Sequence, residues 1–396
     1  MIDVLGFVLQ HKFVFLFYLF VILFIAFHWK RIERQAKIIF LYRTKIGLKW
    51  MEKYSTKFRE WVILFGYVGM GAGFVGLVFI SYFLVTSFIQ IFTNPEAASA
   101  VSPVLPGISV PGLGVLSFWY WILAIFIIAL VHEFSHGIVA RAHKIEVKNT
   151  GIVFLGPIMG AFVEPDEKKL QKQQDIVQYS VLSAGSFSNI VLGVVVLLLL
   201  NFAFVPLQET MVEPAGFTFE SYFNETAPIA EAGLKPGTRI TGINGVPIKN
   251  FQEFSEELAF YKPGETIKVS TPEKEYSITL GANPKNQRKA FLGLNLAKNE
   301  FEIKERYQVG FWNELYKALN WFNFFLRWLF LLSIGIGLFN LLPLPIVDGG
   351  RMAQVFLQKL KGEGKGNQYY KRISLFFFTI LVLLIINWLY PLHQLF

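Results

Sequence analysis

The 396-residue sequence contains no cysteine and few charged residues. The absence of cysteine excludes disulfide bonds, thiolate nucleophiles and cysteine-ligated metal sites, so any metal site depends on His, Asp or Glu. Charged residues make up 16% of the chain, against about 25% in an average soluble domain. Hydrophobic residues account for 54%, and Phe alone occurs 42 times. This composition predicts a polytopic membrane protein, with the lipid bilayer as its surroundings, rather than a soluble enzyme.

The net charge of +9 would suggest a nucleic-acid partner in a soluble protein. Here the basic residues lie in short segments between apolar runs, where they set membrane orientation. We therefore assign the charge to membrane topology and expect no nucleic-acid partner.

Six apolar runs approach or exceed the roughly 20 residues that a helix needs to cross a bilayer core of about 30 Å. A basic cluster follows the first run and no cleavage signal comes after it, so this run is predicted to be a retained anchor rather than a signal peptide. The six predicted spans are residues 12–29, 62–93, 115–140, 176–206, 312–340 and 373–395.

The distribution of Lys and Arg predicts the orientation of these spans. Segment 29–60 has ten Lys or Arg against three Glu, whereas segment 94–114 has neither Lys nor Arg. The positive-inside rule then places 29–60 in the cytoplasm. Alternation puts 141–175 and 349–372 on the same side and 207–311 outside. The protein is thus predicted to be a multi-pass protein of the cell membrane.

The polar block at residues 207–305 differs from the rest of the chain because it has mixed charge, Pro-Gly turns and short alternating strands. Its segments 227–237 and 239–247 resemble the PDZ domains of bacterial and archaeal proteases. The predicted domains are therefore an anchor with a basic segment (1–61), two parts of a transmembrane core (62–206 and 306–396) and this PDZ-like extracytoplasmic insertion.

A short loop in the PDZ-like block is similar to the carboxylate-binding loop of PDZ domains. It contains Leu292, Gly293 and Leu294, whose backbone N–H groups would receive a chain terminus or a substrate tail. The alternative is a domain that only excludes folded ectodomains by its bulk. The sequence leaves both roles open.

The sequence His132-Glu-Phe-Ser-His136 lies near the cytoplasmic end of the third predicted span. On a helix, residues i and i+4 project from one face, so both imidazoles can reach one Zn²⁺, with Glu133 placed to activate water. Ionisable groups within a membrane helix are costly unless they are paired or bound to metal. The alternative is a polar cluster that holds helices together.

A hydrolytic zinc site needs a third protein ligand. The fifth span leads into Asn340-Leu-Leu-Pro-Leu-Pro-Ile-Val-Asp-Gly-Gly350, which places Asp348 at the membrane depth inferred for the two histidines. Asp348 is therefore the predicted third ligand. Gly349 and Gly350 are expected to let the chain turn tightly after it.

Taken together, the HExxH motif, Asp348 in its Leu-Pro-x-x-x-Asp-Gly context and the PDZ-like insertion resemble the site-2 protease family of intramembrane zinc metalloproteases (peptidase M50-like) over about residues 115–350. The resemblance implies that His132, His136 and Asp348 bind one Zn²⁺ per chain, and that Glu133 is the general acid and base. It also implies that the substrates are single-span membrane proteins. Ser186 replaces a Pro that is common in the family, and the basic segment 29–60 lies outside the family pattern.

Residues 151–165 are apolar, but they are too short and too rich in Gly and Pro to span the membrane. They are predicted to form a re-entrant β-hairpin whose free edge holds an unwound substrate strand, with Gly156 and Gly160 at the contact. The alternative is a packing plug over the metal cavity. The resemblance also associates Asn340 with substrate contact. Asn189 is a second candidate, and for both amides the alternative is a hydrogen bond between helices.

The predicted fold class is a polytopic α-helical membrane protein with about six transmembrane helices, a re-entrant β-hairpin and an inserted small PDZ-like α/β domain. The predicted function is that of an intramembrane zinc endopeptidase. Two alternatives from other classes are an inactive membrane scaffold that uses the PDZ-like domain, and a metal or proton transporter that uses the same ligands.

Overall fold

The computed structural model describes residues 11–35, 39–94, 101, 103–110, 113–155 and 158–390. Two compact units are present. The first contains Met1–Leu200 and Phe324–Phe396, and the second contains Asn201–Asn323. Gly156, one of the predicted substrate contacts, lies outside the described residues.

Twelve α-helices are found among the described residues, and their lengths separate long apolar helices from short connecting ones. A π-helical turn at Leu200–Phe204 joins the sixth helix to the seventh. In chain order the helices are α1 (Lys12–Phe27), α2 (Leu48–Lys57), α3 (Arg59–Thr93), α4 (Phe118–Ala142), α5 (Glu167–Gln171), α6 (Asp175–Leu199), α7 (Val205–Glu209), α8 (Pro228–Glu231), α9 (Phe251–Leu258), α10 (Gly310–Phe339), α11 (Asp348–Lys361) and α12 (Glu363–Leu389).

Five segments of the described chain are long and apolar enough to cross a membrane: α3, α4, α6 with its continuation to Glu209, α10 and α12. The prediction of a polytopic helical protein is therefore confirmed. The first predicted span, 12–29, corresponds to α1, which is apolar but has only 16 residues. Most side chains of α1 are exposed, because it packs little of its surface against the rest of the first unit.

Close packing of α3 against the first unit depends on a row of small residues. Four buried glycines recur every three or four positions, so they share one face of the helix. A Cβ atom at each of them would lie within 3.1 Å of a side-chain atom of α6 or of the segment after α10. The absence of side chains on this face therefore lets α6 lie close to α3. These glycines are Gly66, Gly69, Gly73 and Gly76.

The strands of the first unit form a four-stranded antiparallel sheet and a short two-stranded pair. The sheet has the order β1-β2-β5-β6, so β6 is one of its edges. Its strands and those of the pair are β1 (Ile32–Gln35), β2 (Ile39–Thr44), β3 (Ser109–Val110), β4 (Gly114–Val115), β5 (Val147–Leu155) and β6 (Ile158–Pro165).

The described residues of segment 151–165, predicted as a re-entrant β-hairpin, lie on β5 and β6, whose antiparallel pairing runs from Val147 with Pro165 to Leu155 with Ile158. The basic segment that lay outside the family pattern supplies the other two strands. β2 pairs with β5 over its whole length, from Ile39 with Leu155 to Thr44 with Thr150. The hairpin is therefore the outer half of a larger sheet.

The second unit contains a small α/β domain. Its strands form a sheet of order β11-β10-β8-β9 and the pairs β12-β13 and β14-β7. Its core is apolar and includes Phe217, Phe219, Ile229, Ile240, Phe254 and Ile267. The strands are β7 (Val212–Tyr222), β8 (Gly242–Ile243), β9 (Val246–Pro247), β10 (Thr266–Ser270), β11 (Glu275–Thr279), β12 (Gly281–Asn283), β13 (Asn286–Phe291) and β14 (Leu294–Ile303).

Candidate metal centre

The two histidines of the HExxH motif lie on one face of α4, as the i and i+4 spacing requires. Ser117 caps the helix and accepts a hydrogen bond from the backbone N–H of Tyr120. The helix then runs without a break through the motif. The Nε2 atoms of His132 and His136 lie 3.1 Å apart, so both imidazoles point at one place.

Asp348 is the first residue of α11 and lies beside the two imidazoles. Its Oδ2 atom is 3.1 Å from Nε2 of His132 and 3.2 Å from Nε2 of His136. The chain returns to the histidines because α10 ends at Phe339 and the short segment after it leads directly into α11. The structure thus brings together the three residues that the sequence predicted as ligands.

This triangle of ligand atoms fits a tetrahedral metal ion. Its sides measure 3.1, 3.1 and 3.2 Å, close to the separation of about 3.3 Å expected when each ligand lies about 2.0 Å from zinc in tetrahedral geometry. Oδ2 of Asp348 is buried without a hydrogen-bond partner. Two imidazoles and one carboxylate are also a donor set that zinc accepts while keeping a fourth position open. The residues therefore fit a catalytic metal.

The outer nitrogen of His136 is held by the backbone. Its Nδ1 atom lies 2.7 Å from the carbonyl oxygen of Val181 on α6. A carbonyl oxygen only accepts hydrogen bonds, so Nδ1 carries the proton and Nε2 presents its lone pair to the ligand triangle. The corresponding atom of His132 lies 3.2 Å from Nδ2 of Asn189.

Gly185 on α6 lies beside the candidate ligands, a position that the sequence alone did not single out. A Cβ atom there would lie 2.4 Å from Nε2 of His136 and 2.6 Å from Nε2 of His132. Only glycine leaves room for both ligand atoms at this point of α6. The sequence shows a glycine among mostly small residues at 184–189. This pattern does not indicate which side chains lie next to the glycine in the folded protein.

Gly349 and Gly350 act differently from the expected tight turn. Both are helical residues of α11 and neither has a positive φ. A Cβ atom would lie 2.1 Å from the carbonyl oxygen of Leu341 at Gly349, and 1.7 Å from that of Leu344 at Gly350. The two glycines therefore allow the segment after α10 to pack against the start of α11, which places Asp348 at the histidines.

Glu133 lies between two cavities. One has a volume of about 130 Å³ and is also lined by His136 and Asp348. The other, of about 250 Å³, is lined by Glu133 with His132, Asp348 and both candidate amides. Oε2 of Glu133 accepts a hydrogen bond of 3.0 Å from the backbone N–H of Val163 on β6. The carboxylate is thus oriented at the edge of the sheet and beside the ligand triangle.

The basic N-terminal segment reaches β6 through side chains as well as strands. Arg43 on β2 forms an ion pair of 3.2 Å with Glu164 on β6, and Asn149 on β5 donates a hydrogen bond of 2.9 Å to the same carboxylate. The hydrogen bonds from Asn149 and Arg43 keep the pKa of Glu164 below its ordinary value. The side chains of three strands are therefore linked at Glu164, the residue next to Val163, which contacts Glu133.

The remaining predicted residues fall into two groups. Asn340 and Asn189 line the 250 Å³ cavity with His132, and Gly160 is buried on β6, where a Cβ atom would lie 3.9 Å from Cβ of Ala129 on α4. Leu292, Gly293 and Leu294, the predicted carboxylate-binding loop, belong to the second unit. Leu292 is buried, and the carbonyl oxygen of Gly293 accepts a hydrogen bond of 2.8 Å from Phe223.

Comparison with known proteins identifies a family. Residues 120–385 match the model of peptidase family M50. An uncharacterised protein of Methanocaldococcus jannaschii is 28% identical over 324 residues, which cover 81% of this chain and 78% of that protein.

Two further relatives carry functional names. A putative zinc metalloprotease of Streptococcus pyogenes is 26% identical, and zinc metalloprotease RasP of Shouchella clausii is 25% identical. Each match covers 51% of this chain and 56% of the relative, so the match spans just over half of each of these proteins. Among solved structures, the PDZ domain of an SdrC-like protein from Listeria monocytogenes is 29% identical. That match covers 21% of this chain and 87% of the domain, with a TM-score of 0.18.

Proposed function

The chain belongs to peptidase family M50, and we propose that it is an intramembrane zinc endopeptidase that cleaves transmembrane helices of membrane proteins. The observation that carries the proposal is the meeting of His132, His136 and Asp348 beside Glu133. In a helical membrane protein, such ionisable groups are expensive to bury without a metal or a charge partner. The names of the zinc metalloprotease relatives support the choice of metal.

The chain's own residues supply the remaining chemistry. Zn²⁺, when bound, supplies a Lewis acid for the scissile carbonyl group and a place where water ionises near neutral pH. Glu133 accepts the proton of the attacking water and returns it to the leaving amine nitrogen. The Val163 N–H group holds Oε2 of this carboxylate, which leaves Oε1 for the proton.

The free edge of β6 supports the binding of an unwound substrate strand. The Val163 N–H group points away from β5, because it binds Glu133. Backbone groups alternate along a strand, so those of Ala161 and Met159 point to the same edge. A substrate strand added there would lie beside Glu133 with its backbone hydrogen bonds satisfied. Gly160 on β6 and Asn340, which lines the 250 Å³ cavity, are proposed to contact this strand.

In the proposed orientation, the metal centre lies near the cytoplasmic side of the membrane and the PDZ-like domain lies outside the cell. The evidence is the excess of Lys and Arg in segments 29–60 and 349–372. The PDZ-like domain is proposed to restrict access by its size. The loop at Leu292–Leu294 is the place where a peptide tail would bind instead.

The test that separates catalysis from binding is Glu133→Gln. This variant preserves side-chain size and the three ligands but removes the proton acceptor. We expect about one zinc per chain in wild type and in the variant, with cleavage of a reconstituted single-span substrate about 10²–10⁴-fold slower in the variant, the usual contribution of general base catalysis. Metal analysis and cleavage are measured side by side.

Glu60→Gln is the matched control, because Glu60 is an exposed residue at the start of α3. It should cleave at the wild-type rate, and Asp348→Ala should lose zinc. Wild-type cleavage by Glu133→Gln would remove Glu133 from the mechanism. A scaffold would show no cleavage in any of these proteins.

A further inference from the structure

A larger polar cleft adjoins the cavity at the ligands. It has a volume of about 510 Å³ and lies between the start of α6 and the helices α11 and α12. Leu170, Leu182 and Arg351 line both this cleft and the 130 Å³ cavity of His136 and Asp348. Because the two spaces share these walls, the cleft lies next to the cavity of the candidate metal centre.

Side-chain amides dominate the lining of the cleft. Gln354 and Gln358, one turn apart on α11, each donate a hydrogen bond of 2.9 Å to Oδ1 of Asn367. Gln178 donates to the backbone carbonyl oxygens at 171 and 173. Among the described residues, no hydrogen bond reaches the side-chain oxygens of these three glutamines. The six lining glutamines are Gln171, Gln173, Gln174, Gln178, Gln354 and Gln358.

The charged residues of the cleft compensate one another. Two are basic, Arg351 and Lys359, and two are acidic, Asp175 and Glu363, so their charges sum to zero. Arg351 is paired with Glu167, and Lys359 lies 3.8 Å from Asp175. Glu363 forms no ion pair among the described residues, so the groups left for a ligand are the neutral amides and this one exposed carboxylate.

Neutral amides suit the backbone of an extended polypeptide. Such a backbone presents an N–H donor and a C=O acceptor at nearly every residue, and each needs a partner when it leaves water. A glutamine side chain offers both kinds of group. Because the glutamine side chain is uncharged, it neither attracts nor repels charged side chains of the ligand.

We propose that this amide-lined cleft binds, in extended form, the polar segment of the substrate that leaves the membrane on the cytoplasmic side of the scissile bond. The proposal rests on the proposed function, because it assumes that the substrate is a membrane protein. Hydrogen bonds that hold the segment's backbone in extended form would disfavour the helical conformation of the adjoining turn of the substrate. They would therefore favour its unwinding at the metal centre.

Cysteine crosslinking tests the location of the segment directly, since the chain has no cysteine of its own. The probe is a synthetic single-span peptide with a Gly-Ser extension that carries one cysteine beyond its apolar segment. Gln358→Cys, in the Glu133→Gln full-length chain reconstituted in vesicles, should form a disulfide with the probe at least tenfold more efficiently than Gln368→Cys. Gln368 is an exposed glutamine on α12 outside the cleft. Equal crosslinking at the two positions would refute the proposal.

A kinetic comparison uses the double variant Gln354→Leu with Gln358→Leu. For the probe with its extension, KM should rise about tenfold while kcat stays within twofold, since two hydrogen-bonding side chains of the cleft are lost. A probe without the extension should be cleaved as by wild type. An unchanged KM for the extended probe contradicts the cleft. A wild-type chain that cleaves neither probe contradicts the proposed function instead, and the crosslinking result still decides the cleft.

An independent observation concerns Asn189. Its side chain is fully buried, Nδ2 lies 3.2 Å from Nδ1 of His132, and Oδ1 has no hydrogen-bond partner. If Nε2 of His132 is a metal ligand, Nδ1 carries the proton. The two donors, Nδ2 of Asn189 and Nδ1 of His132, would then face each other. The acceptor Oδ1 of Asn189 would have no donor.

Rotating the amide of Asn189 by a half-turn exchanges its oxygen and nitrogen with little change in shape. Oδ1 then faces the N–H group of His132, so that donor and acceptor are paired. We infer that Oδ1 of Asn189 accepts a hydrogen bond from Nδ1 of His132 and so presents Nε2 to the metal. It would then act on His132 as the carbonyl group of Val181 acts on His136. The complete burial of Asn189 favours this positioning role over substrate contact.

Zinc affinity tests this role without any substrate. Asn189→Leu should weaken zinc binding to the full-length chain about 10–100-fold, as measured by competition with a chelator. Asn189→Asp, which keeps an acceptor at the same place, should bind zinc within about threefold of wild type. Asn323→Leu removes another buried membrane asparagine and should leave zinc affinity unchanged. Wild-type affinity in Asn189→Leu, or equal losses in Asn189→Leu and Asn189→Asp, would refute the inference.

Discussion

Single residues determine the geometry of the candidate metal centre in two ways. Some side chains carry the candidate ligand atoms, and a glycine leaves space for them because it has no side chain. In the proposed metal centre, His132, His136 and Asp348 would provide the ligand atoms, and Gly185 leaves the space in which two of them meet. The imidazoles can move away from an added Cβ atom only by leaving the ligand triangle. The effect of such a change is therefore specific to metal binding.

Gly185→Ala should reduce zinc affinity at least tenfold, although alanine favours a helix more than glycine does. Its Cβ atom would overlap both Nε2 atoms, at 2.4 and 2.6 Å. Gly335→Ala on α10 is the matched control, because nothing lies within 4 Å of a Cβ atom there. Chelator competition measures both variants, and wild-type affinity in Gly185→Ala would contradict this view of the site.

At the scale of elements, the close approach of α3 and α6 supports the part of α6 that lies against the histidines. The glycine face of α3 makes this approach possible, because side chains there would separate the helices. The opposite face of α3 is exposed along most of its length, and at Gly71 nothing lies within 4 Å of an added Cβ atom.

Leucine placed at two glycines of α3 should therefore have opposite effects. Gly73→Leu should destabilise the protein by about 1–3 kcal/mol, as overpacking does, since a Cβ atom there would lie 3.0 Å from Cβ of Ser183 and 3.1 Å from Cε of Met352. Gly71→Leu should be neutral or stabilising. Thermal unfolding in detergent measures both, and similar midpoints for the two variants would argue against close α3–α6 packing.

The N-terminal strands are a second feature at this scale. β2 pairs with β5 along its whole length, and Arg43 reaches across to Glu164 on β6. The edge that faces Glu133 is thus supported from the far side of the sheet. A two-stranded hairpin alone is marginally stable in water, so two more strands help to hold β6 in place.

For the whole molecule, the proposed orientation makes a direct prediction. Single cysteines introduced at Lys45 and Lys365 should react with a membrane-impermeant thiol reagent only from the cytoplasmic side, and one at Lys249 only from outside. The reason is the concentration of Lys and Arg in segments 29–60 and 349–372. Labelling in intact cells and in inverted vesicles measures this. Reaction of Lys249→Cys from the cytoplasmic side would overturn both the topology and the proposed location of the cleft.

Much of the site could be predicted from local sequence. Residues at i and i+4, such as His132 and His136, lie on the same face of any α-helix. A long apolar run predicts a long apolar helix that can cross a membrane. Asp348 could be predicted because membrane depth limits which segments can meet. Membership of peptidase family M50, which the sequence resemblance predicted, is confirmed by the family match.

The sequence by itself determined the helical membrane class, the HExxH pair and its third partner, because these follow from periodicity, run length and charge along the chain. Only the tertiary structure decided that β2 extends the hairpin, that Gly185 faces both ligand nitrogens and that Asn189 contacts His132. Thr44 and Thr150, for example, meet across 106 positions of sequence, and Asn189 and His132 across 57. Such contacts arise from the packing of distant segments, so no local pattern of residues encodes them.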